Sequence, residues 1–173
     1  MESFNDIFID DTKNVDRVSV KEYLEEGEIA IIDQGKEKIS GYTNCEDYKI
    51  CKEERIIFGD HTRIFKYINI PFITGADGTK VLKIRNINKC NYKFFYYYLL
   101  HSYIPNTGYN RHFKWVKELK FNVPTIDKQI EISNKLDKIQ NIIDLRKKQI
   151  KELDELIKSQ FVEHNIFNEL GVA

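Results

Sequence analysis

Apolar residues along this chain change their rhythm twice. Between residues 28 and 86 they come in short runs. EGEIAIIDQGKEKISGYTN (28–44) begins as a strand-like segment and breaks at Gly35 and Gly41, which leaves Gln34 to Ser40 as an exposed loop. RIIFG (55–59), TRIFKYI (62–68), IPFIT (70–74) and KVLKIRN (80–86) follow, rich in Ile, Val, Phe and Tyr. Polar or Gly-containing punctuation separates them, as in a small sheet with tight connections. ADG (76–78) is a turn signal, because Asp-Gly tolerates the positive φ that a hairpin needs. The rhythm then turns helical. NYKFFYYYLLHSYI (91–104) predicts a buried aromatic helix capped by Asn91 and ended by Pro105 and Gly108, with the loop TGYNRHFKW after it.

Pro124 marks the second change. From Thr125, a candidate helix cap with Lys128 at the capping-box position, no Gly or Pro occurs until Gly171. Apolar positions recur at Ile132, Leu136, Ile139, Ile143, Ile150, Leu153 and Ile157, in alternating steps of four and three. Arg146 occupies the one seam position where an apolar residue is due. These are the a and d positions of a coiled coil. A helix over 125–161 is about 55 Å long, against a radius of gyration of about 13–14 Å for a body of the preceding length. The expectation is a projecting helix whose seam needs a partner: a second copy or another protein. Arg146 would be costly if buried alone, and meets a carboxylate such as Asp144 or Asp137 of that partner in the expected arrangement.

Composition alters this picture little, but charge alters it considerably. The chain has 173 residues, is 42% hydrophobic and 31% charged, and has a formal net charge of zero. Residues 1–60 carry 8 basic and 16 acidic side chains, a net of −8, whereas residues 61–120 carry 11 against 2, a net of +9. Residues 121–173 carry 8 against 9. A neutral protein can thus present a basic face of the kind a polyanion requires, unless folding interleaves the segments. No apolar run reaches membrane-spanning length, and the acidic start MESFNDIFIDD lacks the regions of a secretory signal, so a cytoplasmic location is the default expectation. Cys45, Cys51 and Cys90 have no CxxC spacing and read as reduced, half-buried thiols.

Two segments look chemically loaded. GADGTK (75–80) lacks the glycine spacing and following helix of a phosphate loop, although Lys80 can meet a phosphate as a point charge. GDHTR (59–63) offers Asp60 and His61 as acid and base. A metal-dependent nuclease needs converging carboxylates, and the basic segment adds only Asp77. Asp60 capping the turn, with His61 bonded to backbone, is the structural alternative. Fourteen of the 22 aromatic residues lie between Phe65 and Phe121, most of them core. Tyr42 and Tyr109, near glycines in polar loops, are the better candidates for contact with a duplex.

Taken together, "YLEEGEIAIIDQGKEKISGYTN", "FGDHTRIFKYINIPFITGADGTKVL", "NRHFKWVKELKFNVPTIDKQIEISNKLDKI" and "IDLRKKQIKELDELIKSQF" resemble the specificity (S) subunit of type I restriction–modification systems, over residues 20 to 161. The resemblance implies an α+β fold. A small mixed or antiparallel β-rich target-recognition domain with packed helices (1–123) is followed by a long spacer helix (124–162) and a tail (163–173). It also implies double-stranded DNA recognition without catalysis and without a cofactor of its own. The partners would be methyltransferase subunits, which use S-adenosylmethionine, and through them restriction subunits. A full subunit of that family has two such domains and two antiparallel helices, so this chain resembles half a subunit. Two copies paired through Ile132, Leu136, Ile139, Ile143, Arg146, Ile150, Leu153 and Ile157 would restore the whole as a homodimer. A helical adaptor that binds the partner subunits without reading DNA is the alternative.

The basic segment and the resemblance point to the same surface. Lys36, Lys38, Tyr42, Thr43, His61, Thr62, Arg63, Lys80, Arg85, Tyr109, Asn110, Arg111 and His112 are the candidate DNA-facing residues. The GDHTR and RHFK blocks recur in the family among domains that read different sequences. They are therefore expected to be scaffold or phosphate contacts, with base readout left to the variable loops.

Overall fold

The computed structural model describes residues 1–44, 47–75 and 77–169, with backbone alone for 162–169. Cys45, Ala76 of the ADG turn and the end of the tail lie outside the described residues. Two compact units are resolved, Met1–Ser133 and Asn134–Ala173.

The first unit is built on a strand that is buried throughout. Arg55–Gly59 (β5) pairs antiparallel with Phe65–Ile68 (β6) on one side and Thr79–Ile84 (β8) on the other, and Phe8–Asp10 (β2) closes the far edge. Side chains alternate across a strand, so β5 feeds two cores. Ile56 and Phe58 point into one with Phe8, Phe65, Leu82 and Ile84, while Ile57 points into the other with Ile68 and Val81.

A mixed three-stranded sheet covers the second core. Ile29–Ile32 (β3) lies between Gly41–Thr43 (β4), which is antiparallel to it, and Phe72–Thr74 (β7), which is parallel. All four β3 residues are buried, as in a strand with both faces covered. Ala30 and Ile32 meet the four-stranded sheet, and Ile29 and Ile31 face a third cluster with Val18 and Ile73.

Helices cover the first core. Tyr92–Leu100 (α2) begins at Asn91, whose side chain accepts from the Phe94 N–H at 3.0 Å, the cap the sequence predicts. It stops at Leu100, short of the expected Ile104. Ser102 turns back through its N–H to Leu99 and its hydroxyl to Tyr98, and Ile104 precedes a proline, which disfavours helical backbone there. Short helices Phe4–Ile7 (α1) and Phe113–Lys117 (α3) complete the layer, and Phe4, Phe8, Phe95, Phe113 and Phe121 meet mostly edge to face. The small strands Glu2–Ser3 (β1) and Lys120–Phe121 (β9) pair antiparallel.

The α+β class is as expected, with one change of topology. Asp77-Gly78 turns the chain, with Gly78 at φ 88°, but does not close a hairpin: β7 and β8 belong to different sheets. The turn carries the chain from one layer to the other.

The last helix, Ile126–Glu169 (α4), starts directly after Thr125 and continues past the boundary expected at residue 162. Its first turns belong to the first unit. Gln129 is fully buried; its amide donates to the Lys89 and Pro124 carbonyls at 2.8 Å each and accepts from the Asn91 N–H at 2.9 Å. Ser133 is buried as well, and Ile132 packs on the first core.

Arg55 and Asp11 form a buried ion pair, 5% and 6% exposed, between the start of β5 and the segment after β2. The Arg55 Nε and Nη2 both reach Asp11 Oδ2 at 3.0 Å, Nη2 also reaches Glu53 at 2.9 Å, and Nη1 donates to the Glu54 carbonyl at 2.8 Å. Breaking such a pair strands a desolvated charge. Asp11→Ala is expected to cost about 3 kcal/mol in denaturant unfolding, whereas a loss below about 1 kcal/mol would show that Glu53 suffices as a partner. Gln129→Leu orphans one buried donor and two acceptors and is expected to cost about 2–3 kcal/mol by the same measurement.

Candidate nucleic-acid interface

Four connections from separate elements meet at one end of the first unit: the β3–β4 loop, the β5–β6 turn, the β7–β8 turn and the loop before α3. Gln34 ties three of them together. Its Nε2 donates to the Asp77 carbonyl at 2.8 Å, and its Oε1 accepts from the His61 N–H at 3.2 Å. Its own carbonyl accepts from the Thr62 hydroxyl at 2.6 Å. Asp33 shapes the same loop by accepting from the Gly35 N–H at 2.7 Å and the Ser40 hydroxyl at 2.6 Å. Beneath it, the Lys66 ammonium is buried, donates to the Asp33 carbonyl at 2.8 Å, and has its pKa lowered by that burial.

Two glycines make this junction possible. A Cβ on Gly59 would lie 2.1 Å from the Thr62 hydroxyl. One on Gly78 would lie 2.8 Å from the His61 ring and 3.0 Å from Gln34 Oε1, at a φ that favours glycine in any case. Arg63 adopts a left-handed φ of 62° in the same turn, which its backbone closes by donating to the Gly59 carbonyl at 2.8 Å.

Asp60 fastens the fourth connection. It is 1% exposed; its Oδ1 accepts from the Phe113 N–H at 2.7 Å and its carbonyl from the His112 N–H at 2.9 Å. Its carboxylate is thus committed to positioning α3. Among the described residues, no group of three His, Cys, Asp or Glu side chains is placed to hold a metal ion.

The structure sorts the sequence candidates. His61, Thr62, Arg63, Lys80, Tyr109, Asn110 and Arg111 gather around this junction, and Lys36 and Lys38 stand exposed on the loop that Gln34 anchors. Tyr109, 91% exposed, stacks on His61 with centroids 4.9 Å apart and planes 10° apart. The His61 Nδ1 is buried without a partner, and the bond His61 makes runs from its backbone N–H to the Gln34 side chain, not from its ring to backbone as expected. The Arg63 guanidinium donates to the Ile104 carbonyl at 3.4 Å, and Lys80 Nζ lies 5.4 Å from the centre of the Phe113 ring.

Four candidates fall elsewhere. His112 is fully buried, and the Asp60 carbonyl 2.9 Å from its Nδ1 places the proton on that nitrogen, since a carbonyl only accepts. It is a structural residue, corrected from the expected contact. Thr43 is 6% exposed and likewise belongs to the interior, while Tyr42 lies half-buried against the second core. Arg85 donates to the Asn5 carbonyl at 3.0 Å, beyond the opposite end of β8. Six residues of extended chain separate it from Thr79, about 20 Å.

Two residues escaped sequence reasoning. Gln34 is a polar residue in a polar loop, and Arg17 lies in the acidic third of the chain, so neither carried a local signal. Arg17 Nη1 meets Asp77 Oδ1 at 2.7 Å and Arg111 Nη2 meets Asp77 Oδ2 at 3.4 Å, all three side chains being more than half exposed. The Gly78 N–H, followed by Arg111 and Arg17, holds the Asp77 carboxyl below its ordinary pKa.

On the second unit, the seam residues Ile139, Ile143, Ile150, Leu153 and Ile157 are each 41–60% exposed, and Leu136 is half-buried. Ile142 and Leu156 lie one residue before the a positions Ile143 and Ile157 and widen the stripe. Arg146 donates to Gln149 at 2.9 Å along its own helix.

The chain matches the family "Type I restriction modification DNA specificity domain" over residues 3–155 and belongs to that family. Its fold is similar to the S subunit of a type I restriction–modification system from M. genitalium, with a TM-score of 0.62 and 17% identity, covering 81% of this chain and 38% of that one. The HsdS subunit from Thermoanaerobacter tengcongensis aligns with a TM-score of 0.48 and 14% identity over 79% of this chain and 38% of that one. This chain therefore spans well under half the length of either subunit. No curated protein matches it in sequence. Among the described residues, no helix is long and apolar enough to cross a membrane.

Gly78→Ala meets both steric contact and an unfavourable φ, and is expected to cost about 1–3 kcal/mol in thermal or denaturant unfolding. Gln34→Ala is expected to cost about 1–3 kcal/mol and to raise proteolytic cleavage within residues 59–63, whereas unchanged cleavage would show that the turn holds itself.

Proposed function

We propose that this chain is a DNA-recognition module, half of a type I specificity subunit, that reads double-stranded DNA and positions a modification enzyme without catalysis of its own. The observation that carries the reading is the convergence of cations from separate segments on one junction, Lys36, Lys38 and Arg111 exposed and Arg63 and Lys80 half-buried. Lys36, Lys38, Arg63, Lys80 and Arg111 supply charge for phosphates, and Tyr109 and Asn110 supply an exposed ring and amide beside them. Phosphate contacts fix register and side chains at base edges specify sequence, so both kinds of group are needed at one surface. The internal bonds of Gln34, Asp60 and Thr62 support scaffold roles for their segments, and leave Tyr109, Asn110 and the 35–40 loop to the reading.

The exposed stripe on α4 supports pairing with another long helix. An antiparallel second copy would give a two-fold assembly with two reading heads, and hence a target of two half-sites related by symmetry. The extra width contributed by Ile142 and Leu156 suits packing against more than one helix, as assembly with methyltransferase subunits, and through them restriction subunits, would require.

Salt-sensitive duplex binding, stronger with the methyltransferase partner present, is the expected behaviour. Reversing charge at Arg63, Lys80 and Arg111 together should weaken binding and lower the slope of log affinity against log salt by roughly three. A variant that assembles and protects DNA as before would instead favour a helical adaptor that does not read DNA. Solution mass at two protein concentrations should show a dimer, and Arg146→Leu should change its register or partner choice; unchanged pairing would remove that role from Arg146.

A further inference from the structure

The cleft beside the β7–β8 turn, about 190 Å³, is lined by Thr12, Arg17, Asp77, Thr79, Lys80 and Arg111 among others. Two guanidinium groups meet one carboxylate there, and Lys80 lines the same cleft. Arg17 and Arg111 come from segments far apart in sequence, and each guanidinium meets a different oxygen of Asp77. A carboxylate bridging two guanidinium groups offers the same features as one phosphodiester: a single negative charge spread over two oxygens with arginines on either side. Arg17 is positioned from behind, since its backbone forms a parallel bridge with Thr74 at the end of β7.

We propose that Arg17 and Arg111 form a clamp for one DNA phosphate, and that Asp77 occupies the clamp in the free chain and yields it to the phosphodiester on binding. The proposal rests on the DNA-reading function above. It adds to the interface a residue from the acidic third of the chain and gives Asp77 a role opposed to affinity. Exposed ion pairs of this kind are weak, so exchange of one anion for another is cheap. The Asp77 carboxylate competes with every phosphate equally, whatever the sequence. It therefore lowers indiscriminate binding and leaves discrimination to contacts made elsewhere on the junction.

The test uses the full chain, a duplex of mixed sequence, and fluorescence anisotropy from about 50 to 200 mM salt. Asp77→Asn keeps the size of the side chain and removes its charge; it is expected to bind about three- to fivefold more tightly with a steeper salt slope. Arg17→Ala is expected to lower the slope by about one, and in the double variant to abolish most of the gain from Asp77→Asn. Glu155→Gln on α4 is the charge-matched control, and thermal unfolding checks that each variant is folded. Equal or weaker binding by Asp77→Asn, an unchanged slope for Arg17→Ala, or an equal gain from Glu155→Gln would overturn the clamp alone. A wild-type chain without salt-sensitive binding would instead overturn the DNA-reading function, and the clamp with it.

Discussion

The burial of β5 on both faces is the constraint from which the rest of the first unit follows. Ile56, Ile57 and Phe58 are all fully excluded from solvent, yet adjacent side chains point in opposite directions, so two separate cores must exist. One is made by the aromatic helices and the other by the second sheet. β8 obeys the same rule, with Leu82 in the helical core and Val81 in the core between sheets. A charged residue at the head of such a strand has to be neutralised in place, and Arg55 is, by Asp11 and Glu53. At the other end the strand runs out at Gly59, where no side chain would fit.

What begins at Gly59 is a junction whose polar groups are divided between inward and outward use. Gln34, Asp60 and Thr62 spend their hydrogen bonds on backbone groups of neighbouring loops, and Asp33 spends its own on Gly35 and Ser40 of its own loop. Buried or half-buried polar atoms carry a large cost when unmatched, which explains why residues that look catalytic in sequence are structural in space. Lys36, Lys38, Tyr109 and Arg111 project from the same loops with their ends in solvent. Rigid backbone beneath adaptable side chains is the arrangement recognition calls for, because the ordering entropy has been spent during folding.

α4 serves each unit by a different chemistry. Its first turns are held by the buried amide of Gln129, whose donor and acceptor are both matched, and by the apolar contact of Ile132. Beyond Ser133 the helix changes character: isoleucines and leucines recur in the open, and ion pairs such as Lys148–Glu152 and Lys151–Glu155 lie on its exposed surface. An apolar stripe this long, on a helix otherwise rich in charge, is stable in water only with a covering surface or at the cost of its hydration.

The sequence by itself determined whatever is periodic or local. The strand runs at 29–32, 55–59 and 79–84, the Asn91 cap, the helix after Thr125 and its heptads all follow from side-chain spacing within one element. So did the α+β class and the family, whose blocks lie in continuous stretches. What the tertiary structure decided was which distant segments meet. Asp-Gly at 77–78 has the same turn chemistry whether it closes a hairpin or joins two sheets, and the choice was made by the partners of β7 and β8. His112 and Arg111 are neighbours in sequence with opposite fates, one sealed beneath Asp60 and the other exposed beside Asp77. Gln34 and Arg17 gained their places from contacts at sequence separations of 43 and 60 residues. Periodicity is written into a chain by its own neighbours, whereas a junction of loops exists only once the layers beneath it have packed.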